Sequence, residues 1–363
     1  MKIFLGEDHN CGLNYQLYQI YNYLYDYLVD DVKKADIIII PSTCVCTEKM
    51  ILRTISYIDY LYQQNKEARM YVTGCVTRKF KDNQYMEMIN NYFDKRNIKV
   101  FSNLETGKLL EDILQESYDH KADNFGFGDV YKDKSILYIS TGCLNNCSFC
   151  KATYQEMPLK SVNIDELKSF IDFIDKHNIS NLTIKGTNIS QYGYDLYGEY
   201  KLPELIEYIE NKNNIQKVNF TGFAFKEAIH NNFKSILENS KKINKIDGSL
   251  ESGSNRILQL IRKGFTAEEF INFIDGLDNI YLSLSIIAGF PTETLEDVMQ
   301  TLDVLKNVNN GKIQICRYIN SNLVDSNNYE QLPAEKIQEH ARIYQKVLTM
   351  RNTPNKILGS DYK

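Results

Sequence analysis

The chain has 363 residues, 43% apolar and 25% charged, enough to fill one large or two ordinary cores and too apolar for a disordered chain. Its 42 Lys and Arg against 47 Asp and Glu give a net charge of −5, which disfavours a general polyanion binder. Eight cysteines are too sparse for a disulfide scaffold, the N-terminal apolar stretch is too short for a signal peptide and no apolar run can span a bilayer. A cytoplasmic protein that does not enter membranes is expected, with clustered cysteines holding metal.

In chain order, residues 2–5 read as a strand, 13–28 as a Tyr-rich helix, 36–40 as a buried strand and 48–64 as a helix. Strands at 69–73 and 98–101 follow, each with its helix. This alternation predicts a doubly wound, mostly parallel sheet over residues 1–117. Residues 118–134 are polar, contain Gly126 and Gly128, and predict a linker. A second series has strands at 136–140, 182–185, 217–221, 246–250, 281–287 and 312–318 with helices between. Six βα units predict a partial TIM barrel over 135–330. Residues 331–363 predict one helix, from about 333 to 350, and a short tail, giving an α/β chain overall.

The densest chemical signal is Cys143-Leu-Asn-Asn-Cys147-Ser-Phe-Cys150, directly after a predicted barrel strand. Barrels carry their chemistry at that strand end. Three thiolates within eight residues can hold three irons of an iron–sulfur cube and leave the fourth open to a ligand. A structural zinc site wants four closed ligands, and no His or fourth Cys lies nearby. Cys11, Cys44 and Cys75 are scattered in sequence, yet each closely follows a predicted strand of the first sheet. Strand ends of an open parallel sheet share one crevice, so these thiols can converge on a second cluster. Cys46, two residues after Cys44, faces the same way in an extended segment and competes as a ligand. Cys316, within a strand, reads as a small buried side chain. The five His show no metal-ligand spacing; His9, near Cys11, is the one to watch.

The CxxxCxxC spacing after a barrel strand resembles the radical S-adenosylmethionine (SAM) superfamily. Asn10-Cys11-Gly12-Leu13-Asn14, Ala35-Asp36 through Ser42-Thr43-Cys44, and Val72-Thr73-Gly74-Cys75 resemble the N-terminal domain of its methylthiotransferases. Further on, Lys185-Gly186-Thr187-Asn188 with Tyr192-Gly193-Tyr194-Asp195 is similar to that family's Gly-Gln-Asn…Tyr-Gly-x-Asp. Glu251-Ser252-Gly253-Ser254 is similar to its Gln-Ser-Gly-Ser, and Gly289-Phe290-Pro291-Thr292-Glu293-Thr294 to its Gly-Phe-Pro-x-Glu-Thr. Ordered motifs over nearly the whole chain are far more specific than any one glycine turn.

The resemblance implies two [4Fe–4S] clusters, one on Cys143, Cys147 and Cys150 with SAM on its open iron, and one on Cys11, Cys44 and Cys75 carrying sulfur. An external one-electron donor such as flavodoxin or ferredoxin would reduce the first. SAM would serve as radical source and as methyl donor, and a methylthio group would replace hydrogen at an unactivated carbon, in a substrate cavity shared by the two clusters. Phe149 would lie near the adenine; Gly186, Thr187 and Asn188 against the methionine end; Glu251 and Ser252 near the ribose or methionine. Glu251 also reads as a barrel carboxylate paired with a nearby Lys. No catalytic residue beyond the cluster ligands is implied.

The pattern departs from the family in places. An Arg-Gly pair is missing after Cys150, Ser42 stands for Asn, Thr187 and Glu251 stand for Gln, and Lys263 stands near the place of an Arg. The 47 residues after Cys316 show no run of alternating strands, so the family's C-terminal TRAM barrel is expected to be absent. With the net acidic charge, this favours a peptide or small protein as substrate over the family's more usual tRNA adenosine. A radical SAM enzyme forming a C–S bond without methylation would share all six cysteines.

Overall fold

The computed structural model describes residues 1–6, 20, 24–43, 48–74, 91–101, 106–115, 128–131, 134–150, 158–322 and 324–358. The chain forms two compact units, Met1–Asp129 and Val130–Lys363.

In the first unit, β1 (Ile3–Leu5), β2 (Ile37–Thr43), α1 (Glu48–Gln64), β3 (Arg69–Gly74), β4 (Lys99–Phe101) and α2 (Thr106–Leu114) follow one another. The strands pair in parallel in the order β1-β2-β3-β4. Four successive isoleucines, Ile37 to Ile40, are fully buried because β2 is covered on both faces. Ile38 and Ile40 pack with Ile58 and Leu61 of α1; Ile37 and Ile39 pack with Ile20, Leu24 and Leu109.

Leu28 makes a lone parallel bridge to Ile3. The chain therefore leaves β1, touches its outer side at Leu28 and returns to β2 on its inner side. The winding direction reverses at β1, as a doubly wound sheet requires, and sheets of this kind bind ligands at the strand ends beside such a reversal.

The second unit carries β5 (Gly128–Tyr131), β6 (Lys134–Thr141), β7 (Lys160–Ser161), α3 (Ile164–Lys176), β8 (Asn181–Gly186), α4 (Tyr194–Tyr197), α5 (Leu202–Glu210), β9 (Lys217–Phe223), α6 (Phe225–His230) and α7 (Lys234–Asn239). It continues with β10 (Ile243–Glu251), α8 (Asn255–Ile261), α9 (Ala267–Ile274), β11 (Tyr281–Ala288), α10 (Leu295–Val304), β12 (Gly311–Arg317), α11 (Ala334–Met350) and β13 (Asn355–Leu358). The sheet runs β13-β12-β11-β10-β9-β8-β6-β5, with β7 paired antiparallel to β6. β6 and β8 to β12 are the six parallel strands of a partial barrel.

The two faces of this sheet differ. One row of register partners, Leu137, Ile184, Phe220, Ile246 and Leu282, is at most 4% exposed. The row one residue on is Tyr138, Lys185, Thr221, Asp247, Ser283 and Lys312. Successive strand residues face opposite ways, so the apolar row takes the helices and the polar row lines the inner face. α3 meets the apolar side with a buried stripe of Ile164, Leu167, Phe170, Ile171 and Ile174.

Two segments differ from the expectation. Residues 128–131, within the expected linker, form β5, and residues 355–358, within the expected tail, form β13, parallel to β12. Four residues are too short to show a period; the open backbone edge of the neighbouring strand orders them. Among the described residues, no helix is long and apolar enough to cross a membrane.

Candidate functional site

The Cys143–Cys150 loop leaves the end of β6 through Gly142, at φ +78°. It is pinned from four directions. Gly142 N donates to Thr187 Oγ1 at 3.1 Å, and Leu144 N donates to Gln191 Oε1 at 2.8 Å. Ser148 N donates to the Ile261 carbonyl, and Ser326 N to the Ser148 carbonyl, both at 2.9 Å. Cys147 and Phe149 pack against Ile257, Ile261, Ile287, Phe290 and Tyr318. Phe149 thus lies in an apolar patch that includes Phe290 of the Gly289–Thr294 turn.

All three thiols are free and half-buried. Burial pushes the Cys143 thiol up, against hydrogen bonds from Asn188 and the Asn145 amide. Burial pushes Cys147 up to about 11, with Lys263 opposing. Burial disfavours the thiolate, and the charge of a bound metal favours it more strongly.

The donor set fits a cluster better than a single ion. Among the described residues, no three His, Cys, Asp or Glu are grouped to hold one metal ion. His177, His230 and His340 bond Phe173, Gly264 and Glu293 instead. A cube takes one thiolate per iron and needs them spread, and its sulfurs accept N–H donors. Asn188 Nδ2 lies 3.5 Å and Asn145 N 3.4 Å from Cys143 Sγ. The buried hydroxyls of Ser140 and Ser148 have no hydrogen-bond partner.

The expected cofactor-side residues are brought to this loop unevenly. Gly186 has no room for a side chain, since a Cβ would lie 2.8 Å from the Ser140 carbonyl oxygen. Its own carbonyl oxygen presses on Gly222, where a Cβ would come within 2.1 Å. This close approach brings Thr187 and Asn188 to the cysteine loop. Glu251 is held at φ +69° after a bulge in β10, its Oε1 3.4 Å from Lys263 Nζ, which also donates to Ser249 Oγ at 2.8 Å. Both side chains are at most 10% exposed. Cys316 is half-buried rather than core, its thiol pushed up to about 12 by burial and by the Glu251 charge.

Ser252 is placed differently. It is fully buried, and its hydroxyl meets Thr301 Oγ1 at 3.1 Å and accepts from Ser254 N at 3.1 Å, so it plugs the turn into α10. Tyr192 and Gly193 brace β7 through Val162 and Ser161. Cys11, Cys44, Cys46, Cys75 and His9 lie outside the described residues. However, Thr43 and Gly74 are register partners across β2 and β3, and in sequence each immediately precedes one of those cysteines.

Sequence reasoning missed Gln191 and Glu227. Gln191 stands between two recognised motif pieces, and Glu227 follows β9 on a short helix. Neither carried a spacing signal.

Comparison with known proteins fits this geometry. The Radical SAM superfamily matches residues 137–305. A tRNA-2-methylthio-N(6)-dimethylallyladenosine synthase of Lachnoclostridium phytofermentans is 26% identical, covering 92% of this chain and 76% of its own. A threonylcarbamoyladenosine tRNA methylthiotransferase of Aquifex aeolicus is 26% identical, over 85% and 78%. A ribosomal protein uS12 methylthiotransferase of Acetivibrio thermocellus is 25% identical, over 80% of this chain. Residues 137–305 carry the Radical SAM domain, and over most of its length the chain is similar to radical SAM methylthiotransferases. It is a transferase of a family that works with SAM and [4Fe–4S] clusters. In fold, the chain is similar to the cobalamin-dependent SAM radical enzyme OxsB, with TM-score 0.57 and 13% identity over 97% of this chain and 61% of that one. The radical SAM methyltransferase TsrM of Kitasatospora setae gives TM-score 0.54 at 11% identity, over 90% and 77%.

Proposed function

We propose that this methylthiotransferase replaces hydrogen on an unactivated carbon of a peptide or small protein by a methylthio group. In this reading SAM on a reduced cluster supplies the one-electron cleavage that takes the hydrogen, and a second SAM supplies the methyl group. Cys143, Cys147 and Cys150 hold that cluster, and Asn188 donates to its Cys143 sulfur. The pinned loop packs Cys147 and Phe149 against an apolar patch. Cys11, Cys44 and Cys75 hold a second, sulfur-bearing cluster. The pairing of Thr43 with Gly74, at the end of a doubly wound sheet, supports bringing two of those thiols together.

The observation that carries the reading is the three-thiol loop pinned at Thr187, Gln191, Ile261 and Ser326. Two triple replacements by Ala test it. Changing Cys143, Cys147 and Cys150 should abolish SAM cleavage. Changing Cys11, Cys44 and Cys75 should keep cleavage, lose methylthiolation and lower iron from about eight to about four per chain. Retained SAM cleavage in the first variant refutes the assignment.

The tRNA-modifying relatives favour a second substrate, a tRNA adenosine. Mass spectrometry of peptides and RNA from cells with and without the protein separates the two. A methylthio group gained on RNA, with tight and salt-sensitive tRNA binding, overturns the peptide reading. Product sulfur without methyl, and no S-adenosylhomocysteine, overturns methylthiolation itself.

A further inference from the structure

Glu227, on α6, is 3% exposed. Its Oε1 accepts from Gln191 Nε2 at 2.7 Å and its Oε2 from Asn188 Nδ2 at 3.4 Å. An ionised carboxylate only accepts, so both amides turn their NH₂ groups toward it. For Gln191 this leaves Oε1 to accept from Leu144 N. For Asn188 it leaves Oδ1 to accept from Ser190 N at 3.1 Å and aims the NH₂ group at Cys143 Sγ. A flipped Asn188 would instead set an oxygen lone pair against the sulfur. One carboxylate thereby fixes the sense of two side chains that touch the cysteine loop.

We propose that Glu227 is a positioning residue that holds the Asn188 N–H toward the Cys143 sulfur and through it sets the reduction potential of the cluster. This rests on the reading that Cys143, Cys147 and Cys150 hold a [4Fe–4S] cluster. An N–H···S bond withdraws density from the thiolate and stabilises the reduced cluster, raising its potential. The Glu227 charge acts the other way, so a single substitution mixes two effects of opposite sign. A double-mutant cycle separates them.

The cycle uses reconstituted protein with Cys11, Cys44 and Cys75 replaced by Ala, so that one cluster reports, in an EPR-monitored redox titration without SAM. The variants are Asn188→Ala, Glu227→Gln and the pair, each checked for iron content and thermal unfolding. Asn188→Ala should lower the potential. Glu227→Gln should raise it in the Asn188→Ala background, where the bond to Asn188 is already gone and the charge is lost. With Asn188 present the shift should be less positive by about tenfold in the reduced-to-oxidised ratio, about 59 mV for one electron. Equal shifts in the two backgrounds overturn the proposal.

If Glu227→Gln takes up no iron, Glu227→Asp keeps the charge and retracts the acceptor. It should lower the potential with Asn188 present and leave it unmoved without it; again, equal shifts overturn the proposal. Absence of any [4Fe–4S] signal in the parent protein overturns the cluster reading, a separate outcome from an additive cycle.

Discussion

Replacing Asp297 by Asn removes one charge from the joint between two motif turns while keeping the side chain's shape. Asp297 is 3% exposed. It accepts from Ser254 Oγ at 2.6 Å, from Thr294 N and Thr294 Oγ1 at 2.8 Å, and from the Arg256 guanidinium. Arg256 in turn donates to Thr292, which sits at φ +64°. The Ser252–Ser254 turn, the Gly289–Thr294 turn and the first turn of α10 thus meet on one carboxylate. Desolvation raises its pKa, and the bonds from Arg256, Ser254 and Thr294 more than reverse this, leaving about 2 against an ordinary 3.8.

A folded pKa below the unfolded one means stability that is present above the unfolded value and lost as pH falls through the folded value. At 1.36 kcal/mol per pH unit, the drop is worth about 2 kcal/mol at pH 7. Urea unfolding of the cluster-free protein, followed by circular dichroism, should show Asp297→Asn less stable by about 2 kcal/mol at pH 7. The difference should shrink to about 1 kcal/mol at pH 3, inside the window between the two pKa values. A loss that is the same at both pH values would show that shape or hydrogen bonding, and not charge, holds the joint.

Further substitutions address the close approach at Gly222 and the Glu251–Lys263 pair. Gly222→Ala puts a Cβ at 2.1 Å from the Gly186 carbonyl oxygen at φ +84°, whereas Gly198→Ala, at φ +72°, meets nothing within 4 Å. Gly198→Ala should cost about 1–2 kcal/mol, the left-handed penalty alone. Gly222→Ala should unfold the unit or displace the Thr187–Asn188 turn and lose iron; equal melting temperatures and iron contents would contradict this. Lys263→Met leaves Glu251 buried without its cation and should cost about 3 kcal/mol in urea unfolding. Adding Glu251→Gln should restore most of that, and a double variant no better than the single would show that the pair is not what holds Lys263.

The chain announced its architecture where apolar period and length agreed. The α1 helix, 48–64, has the bounds its amphipathic pattern predicts, and all six barrel strands fall within three residues of their expected ends. The cysteine triplet was legible because its three thiols are close in sequence. Glu227 was not, because what singles it out is its distance to Gln191 and Asn188, 36 and 39 residues earlier. Ser252 is a different case. Its motif is local and recognisable, but the fold uses its hydroxyl to anchor Ser254 and Thr301, and only Glu251 of that segment turns to the inner face.

The two sheets show how burial writes itself into parallel strands. β2 reads Ile-Ile-Ile-Ile because helices or their equivalents cover both of its faces. The barrel strands read otherwise: Leu-Thr-Ile-Lys in β8, Lys-Ile-Asp-Gly-Ser-Leu in β10 and Lys-Ile-Gln-Ile-Cys in β12 alternate apolar and polar residues. A closed barrel fills its interior with layers of branched apolar side chains. Here the corresponding row holds two lysines, an aspartate, a threonine and a serine, with Lys185 Nζ 5.4 Å from the Tyr138 ring and Gln314 Nε2 bonded to Ser283 Oγ at 2.9 Å. Burying so polar a row against apolar side chains would be costly, so such an interior suits water or a polar ligand. Gln314 and Cys316 project from the same face of β12, and Cys316 feels the charge of Glu251. Lys263 bonds Ser249, which shares a register row with Ser285 and Gln314, so the Glu251–Lys263 pair lies at this polar face, and alternation along parallel strands is the sequence sign of a barrel interior that is not packed with apolar side chains.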